Sequence, residues 1–195
     1  MIVPGQTLTN PVTGERLVFH VTARETGGEY VRFEAVVSPG GTLASPHLHP
    51  YQTERFEILE GSLSMTVGGR RLEAAPGDVV VIRPGTPHDF VNRGDRDTRM
   101  LVEVRPALAL ESLLETMYSL AADGKTNRFG LPNPFRLAVI ARAHFDTVRL
   151  PVVPAWAQRA ALAVGAPLGR LLGYGPVYRP EPARASAARP VPAPA

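Results

Sequence analysis

Cysteine is absent from this chain. That excludes a disulfide framework and thiolate chemistry, and it limits any metal site to nitrogen and oxygen ligands. Lysine is nearly absent as well: Lys125 stands alone among basic residues that are otherwise arginines. The arginines are scattered from Arg16 to Arg189 with acidic residues between them, and the formal net charge is only +3. No basic stripe of the kind that neutralises a phosphate backbone is present, so nucleic-acid binding is not expected. Long apolar runs are missing too, and none approaches the roughly 18 residues of a membrane span. The opening residues, Met1-Ile2-Val3-Pro4-Gly5-Gln6, have neither the basic start nor the apolar core of a secretory leader, and a cytoplasmic location is expected.

The 195 residues, 44% hydrophobic and 20% charged, suit one globular domain with an extension. From residue 7 to residue 105 the pattern is that of strands. Leu17, Phe19 and Val21 alternate with polar partners, and Gly27-Gly28 reads as a hairpin turn with Tyr30 to Val37 as its return. Gly68-Gly69 joins Ser62–Val67 to Arg71–Ala74. The turn Ala75-Pro76-Gly77-Asp78 precedes the apolar run Val79–Ile82, and Thr98 to Val104 supplies a last strand. Many short, evenly spaced strands predict an all-β sandwich or barrel.

After Arg105-Pro106 the period changes. Leu110, Leu113, Leu114, Met117 and Leu120 fall at helical spacing with Glu111 and Glu115 on the other face, and Gly124 is placed to end the helix. Asn133-Pro134 announces a second helix, a cap followed by proline at the first helical position, running to about Phe145. A third begins near Pro154-Ala155-Trp156 and reaches about Leu172, with a break or kink expected at Gly165 and Pro167. The connections Gly124–Asn133 and Thr147–Val153 are too long for a helix-turn-helix. Packing on the outside of the barrel or on a partner subunit is preferred over shallow membrane contact by Ala160–Leu168. From Pro176 onward Pro, Ala and Arg dominate, and a disordered tail is expected over 176–195.

The chemistry gathers between Gly41 and Asn92. His47 and His49 lie two apart and project to one face of an extended strand. Glu54 follows a short turn, and His88 arrives from a separate strand after Pro84-Gly85. Three imidazoles and a carboxylate suit a divalent ion: iron, manganese, nickel, copper or zinc. His20 and His144 lie outside this group and read as ordinary structural or surface residues.

The spacing Gly41, five residues, His47, one residue, His49, four residues, Glu54, six residues, Gly61 resembles the first cupin motif at every fixed position. Gly77, then Gly85, two residues, His88, three residues, Asn92 resembles the second. Arg83 departs from it, standing where that motif has proline. The resemblance implies a jelly-roll (double-stranded β-helix) barrel over residues 1–105, followed by a helical extension over 106–175. It also implies that His47, His49, Glu54 and His88 are the ligands of one metal ion, and that the assembly is a homodimer. By strand alternation Phe56 should share a face with Glu54, and Phe90 and Asn92 with His88, giving a mostly apolar substrate pocket. Arg83 is expected near its mouth, facing a carboxylate or phenolate. Family analogy favours an oxygenase of the dioxygenase type acting on a small apolar or aromatic molecule, with Glu54 able to serve as a base. A metal-dependent isomerase or cyclase and a non-catalytic ligand-binding module are the alternatives.

Overall fold

A computed structural model describes residues 1–43 and 45–179. Its first part is all-β. The strands are β1 (Thr7–Asn10), β2 (Glu15–Val21), β3 (Val31–Val37), β4 (Thr53–Glu60), β5 (Leu63–Val67), β6 (Arg70–Ala74), β7 (Val79–Ile82), β8 (His88–Val91) and β9 (Thr98–Arg105). They form a six-stranded sheet in the order β1-β2-β3-β9-β4-β7 and a three-stranded sheet in the order β6-β5-β8. All pairings are antiparallel. This is the jelly-roll class that the motifs imply.

Alternation decides which side chains face inward. Leu17 pairs with Ala35, Ala35 with Met100 and Met100 with Ile58, and all four are buried. The next inward row along the sheet is Phe19, Phe33, Val102 and Phe56, with the Phe19 and Phe33 rings 5.3 Å apart. The positions between the two rows, Val18, Glu34, Leu101 and Glu57, are half-buried. Gly61 marks one place where only glycine serves: its φ is +74°, and a Cβ there would lie 2.6 Å from the Asp97 carbonyl oxygen.

Three helices follow: α1 (Leu110–Ala122), α2 (Pro134–Ala143) and α3 (Ala155–Leu171). The Asn133 side chain caps α2 by accepting from the Arg136 backbone N–H at 3.0 Å. The expected break in α3 is not found, since the helix runs through Gly165 and Pro167 without interruption. The small residues there serve packing instead. A Cβ on Gly169 would come within 2.6 Å of Val139 Cγ2 and closer still to the Phe135 carbonyl oxygen, and one on Gly165 would reach 3.1 Å from Ala138 Cβ. Glycine lets α3 lie directly on α2.

Leu110 and Tyr118 of α1 belong to the barrel's own core and Leu114 and Met117 pack against it, and the segment after α2 returns to pair with the strand that carries the first two histidines. Leu48 and Arg149 exchange backbone hydrogen bonds of 3.0 and 2.9 Å. The expected tail at 176–195 lies, from residue 180 onward, outside the described residues. Among the described residues no helix is long and apolar enough to cross a membrane.

Candidate metal centre and cavity

His47 and His88 sit opposite each other on neighbouring extended segments. The His47 N–H donates to the His88 carbonyl at 3.1 Å and the His88 N–H to the His47 carbonyl at 2.8 Å. Directly opposed residues put their side chains on one face, and His49, two residues on, joins them. Gly85, at φ +77°, turns the chain into β8 and donates its N–H to the His49 carbonyl at 2.8 Å. Glu54 enters from β4, where it pairs with Ile82 and Val104.

The imidazoles are oriented by backbone carbonyls. Nδ1 of His47 lies 3.1 Å from the Ser45 oxygen, Nδ1 of His49 2.6 Å from the Thr147 oxygen, and Nδ1 of His88 3.2 Å from the Thr86 oxygen. A carbonyl only accepts, so each Nδ1 carries the proton and each Nε2 is left to turn inward. Nε2 of His47 and His49 are 3.3 Å apart. Glu54 Oε2 is 3.5 Å from His49 Nε2 and 3.1 Å from His88 Nε2. The three imidazoles thus form one cluster, with Glu54 beside two of them, His49 and His88.

The electrostatics are those of a site built around positive charge. Burial, reinforced by the neighbouring imidazoles His88 and His49, pushes His47 down to about 3. Burial also opposes charge on His49, but hydrogen bonding and attraction from Glu54 outweigh it and raise the group. Burial opposes charge on Glu54 too, yet the close His49 and His88 imidazoles prevail and hold the carboxyl well below the usual range.

A divalent ion fits these residues. Glu54 Oε2 and His88 Nε2 are fully buried without a hydrogen-bond partner, a costly state for polar atoms. The three histidines offer nitrogen atoms within 4.8 Å of one another. Ligands about 2.1 Å from an ion are separated from each other by roughly 3.0–3.4 Å for right-angle to tetrahedral arrangements, and the contacts above lie close to this range. Nitrogen and carboxylate donors suit several divalent metals, and the set does not select one.

These atoms open into a cavity of about 580 Å³ lined mostly by apolar side chains. Phe56 and Phe90 line it as expected, their rings 6.3 Å apart. Two expected residues do not. Arg83 is exposed and absent from the lining, because Ile82 before it is turned inward and alternation sends Arg83 out. Asn92 is fully buried but spends its side chain on the turn beyond β8. It donates to the Val37 and Arg96 carbonyls at 2.8 Å each and accepts from the Gly94 N–H at 2.9 Å. His144 is structural, as read: its Nδ1 lies 2.9 Å from the Ile140 oxygen and its Nε2 3.4 Å from Ser112 Oγ, tying α2 to α1. His20 is exposed.

Sequence reasoning missed that the helices line the same cavity. Leu113 and Leu114 of α1, Leu137 and Ala141 of α2, and Ala161 and Leu162 of α3 face it across from the barrel wall. It also missed Glu15 and Tyr118, both buried and both on the lining. A signal for Glu15 was present: it stands in phase with the inward-facing Leu17 and Phe19.

A family model described as Cupin domain matches residues 33–104. Quercetin 2,3-dioxygenase of Bacillus subtilis is 34% identical over 83 residues, covering 40% of this chain and 23% of that protein. Polyketide synthase CurC of Streptomyces cyaneus is 30% identical over 79 residues, covering 40% of this chain and 51% of that one. Among solved structures, the polyketide cyclase RemF of Streptomyces resistomycificus aligns with a TM-score of 0.46 at 25% identity, over 54% of this chain and 78% of that chain. The chain spans about half or less of the length of the curated relatives it matches.

Proposed function

We propose that this chain, whose residues 33–104 are a cupin domain, is a metal-dependent oxygenase of the dioxygenase type acting on a small, largely apolar or aromatic molecule. His47, His49, Glu54 and His88 would hold one divalent ion. The observation that carries the reading is the cluster of three imidazoles lining an apolar cavity, with Glu54 Oε2 beside two of them and, among the described residues, no hydrogen-bond partner for Glu54 Oε2 or His88 Nε2. The likeness to a protein named quercetin 2,3-dioxygenase supports the choice of reaction.

When bound, the ion supplies a Lewis acid with open positions for an oxygen ligand. The chain's own residues do the rest. The Ser45, Thr147 and Thr86 carbonyls hold the rings so that no reorganisation is needed on binding. Phe56 and Phe90 flank a flat ligand and orient it, while the three helices keep bulk water from the apolar interior. Glu54 is kept ionised by the neighbouring His49 and His88 and, when not engaged by the ion, would be the group that takes the proton of a ligand hydroxyl.

The experiment is dioxygen uptake by protein loaded separately with iron and manganese and supplied with a flat aromatic hydroxy-ketone. Uptake with product formation, lost in His88→Ala, is the expected result. The second reading is an isomerase or cyclase using the same ion as a Lewis acid without oxygen. Product formed anaerobically would move the function to that class. Binding without product would leave a ligand-binding module. A homodimer and a cytoplasmic location accompany this proposal.

A further inference from the structure

The cavity contains a second polar point that the metal chemistry does not use. Of its polar lining groups away from the histidines, three are already committed. Asn10 Oδ1 accepts from the Val12 and Thr13 N–H groups at 3.1 and 3.2 Å. Arg149 donates to the Phe145 carbonyl and to Asp146, and Gln158 donates to the Leu150 and Val153 carbonyls. Glu15 on β2 and Tyr118 on α1 are different. Glu15 Oε2 accepts from Thr13 Oγ1 at 2.7 Å, and the phenol of Tyr118 lies against the same carboxyl.

The Thr13 and Tyr118 hydroxyls offset only part of the cost of burying a carboxyl here. Burial pushes it up to about 7, and no cation is among the groups that set its charge. An apolar residue would fill the position without that cost. Glu15 and Glu54 stand on the same sheet with β3 and β9 between them. The intervening wall is apolar, formed by Phe33, Ala35, Met100 and Val102. The two carboxyls share one cavity and are near enough for Glu54 to add to the upward push on Glu15.

We propose that Glu15 and Tyr118 are specificity-determining residues that bind a hydroxyl group carried by an apolar ligand at its end remote from the metal. The ligand class is then an apolar molecule with an oxygen that meets the metal at one end and a hydroxyl at the other. This rests on the reading of the cavity as a ligand site beside a bound ion. It predicts selection by the far hydroxyl, because that hydroxyl adds a hydrogen bond to the Glu15–Tyr118 pair that a ligand lacking it does not make.

The test uses zinc-loaded protein, since zinc is redox-inert and no turnover consumes the probe. Two probes are titrated, 3-hydroxyflavone and the same molecule with a hydroxyl at the far end of its pendant ring. Wild type should bind the hydroxylated probe about tenfold more tightly. Glu15→Leu should abolish that preference and Tyr118→Phe should reduce it, each read as the ratio of the two affinities. Equal affinity of wild type for the two probes, or a preference that survives in Glu15→Leu and Tyr118→Phe, would overturn the inference. A wild-type protein that takes up neither probe overturns the reading beneath it as well.

Discussion

The barrel wall and the helical cover meet around one cavity and contribute to it in different ways. The wall supplies directional groups: three imidazoles locked by carbonyl acceptors, the Glu54 carboxylate and the Glu15 carboxyl. The cover supplies shape, through Leu113, Leu114, Leu137 and Leu162, together with the Tyr118 phenol and the Thr147 carbonyl, while its Arg149 and Gln158 are committed to hydrogen bonds within the cover. Directional chemistry needs a backbone held on both sides, which an antiparallel sheet provides. Closure needs only apolar bulk at the right spacing, which amphipathic helices provide.

Mutations on the two sides should therefore fail differently. The largest effect is expected in the wall: Phe19 is fully buried against Phe33, and Phe19→Ala should cost about 3–5 kcal/mol in urea denaturation. Glu15 probes the wall's own cost. Burial keeps it protonated to about 7 against an ordinary 4.5. The unfolded chain releases that proton at lower pH, so through this window the folded state binds more protons and stability falls as pH rises. Glu15→Gln removes the dependence. Its stability relative to wild type should grow by about 3 kcal/mol between roughly pH 4 and pH 8, as read by urea denaturation at each pH.

In the cover, Gly169→Leu should cost about 1–3 kcal/mol by forcing α3 off α2. Metal content should be unchanged, since no proposed ligand lies on either helix; loss of the metal would erase the division of labour. The smallest effect is expected outside both regions. Arg83→Ala should shift ligand affinity and stability by less than about 0.5 kcal/mol, measured by titration and urea melting.

This contrast also explains what was legible in the sequence. His47, His49, Glu54 and His88 stood out because glycine turns and fixed spacing bring them together locally, and Phe56 and Phe90 followed from alternation. Arg83 and Asn92 misled because alternation stops at strand ends: Ile82 keeps the inward position, and Asn92 lies past β8, where turn carbonyls claim its amide. Gly165 and Pro167 read as breakers because helix propensity says nothing of a neighbour that requires small residues. An apolar stripe on α1 tells which face is buried, not what it covers. The contact of Thr147 with His49 spans 98 residues through a backbone oxygen, which leaves no trace in side-chain identity.

The most direct measurement is elemental analysis of protein purified without added metal or chelator, wild type beside the double variant His47→Ala, His49→Ala. Near-stoichiometric divalent metal in the wild type, lost in a double variant that still folds, is the predicted result. A wild-type protein that is metal-free and also refuses added iron, manganese, nickel, copper and zinc would contradict the account.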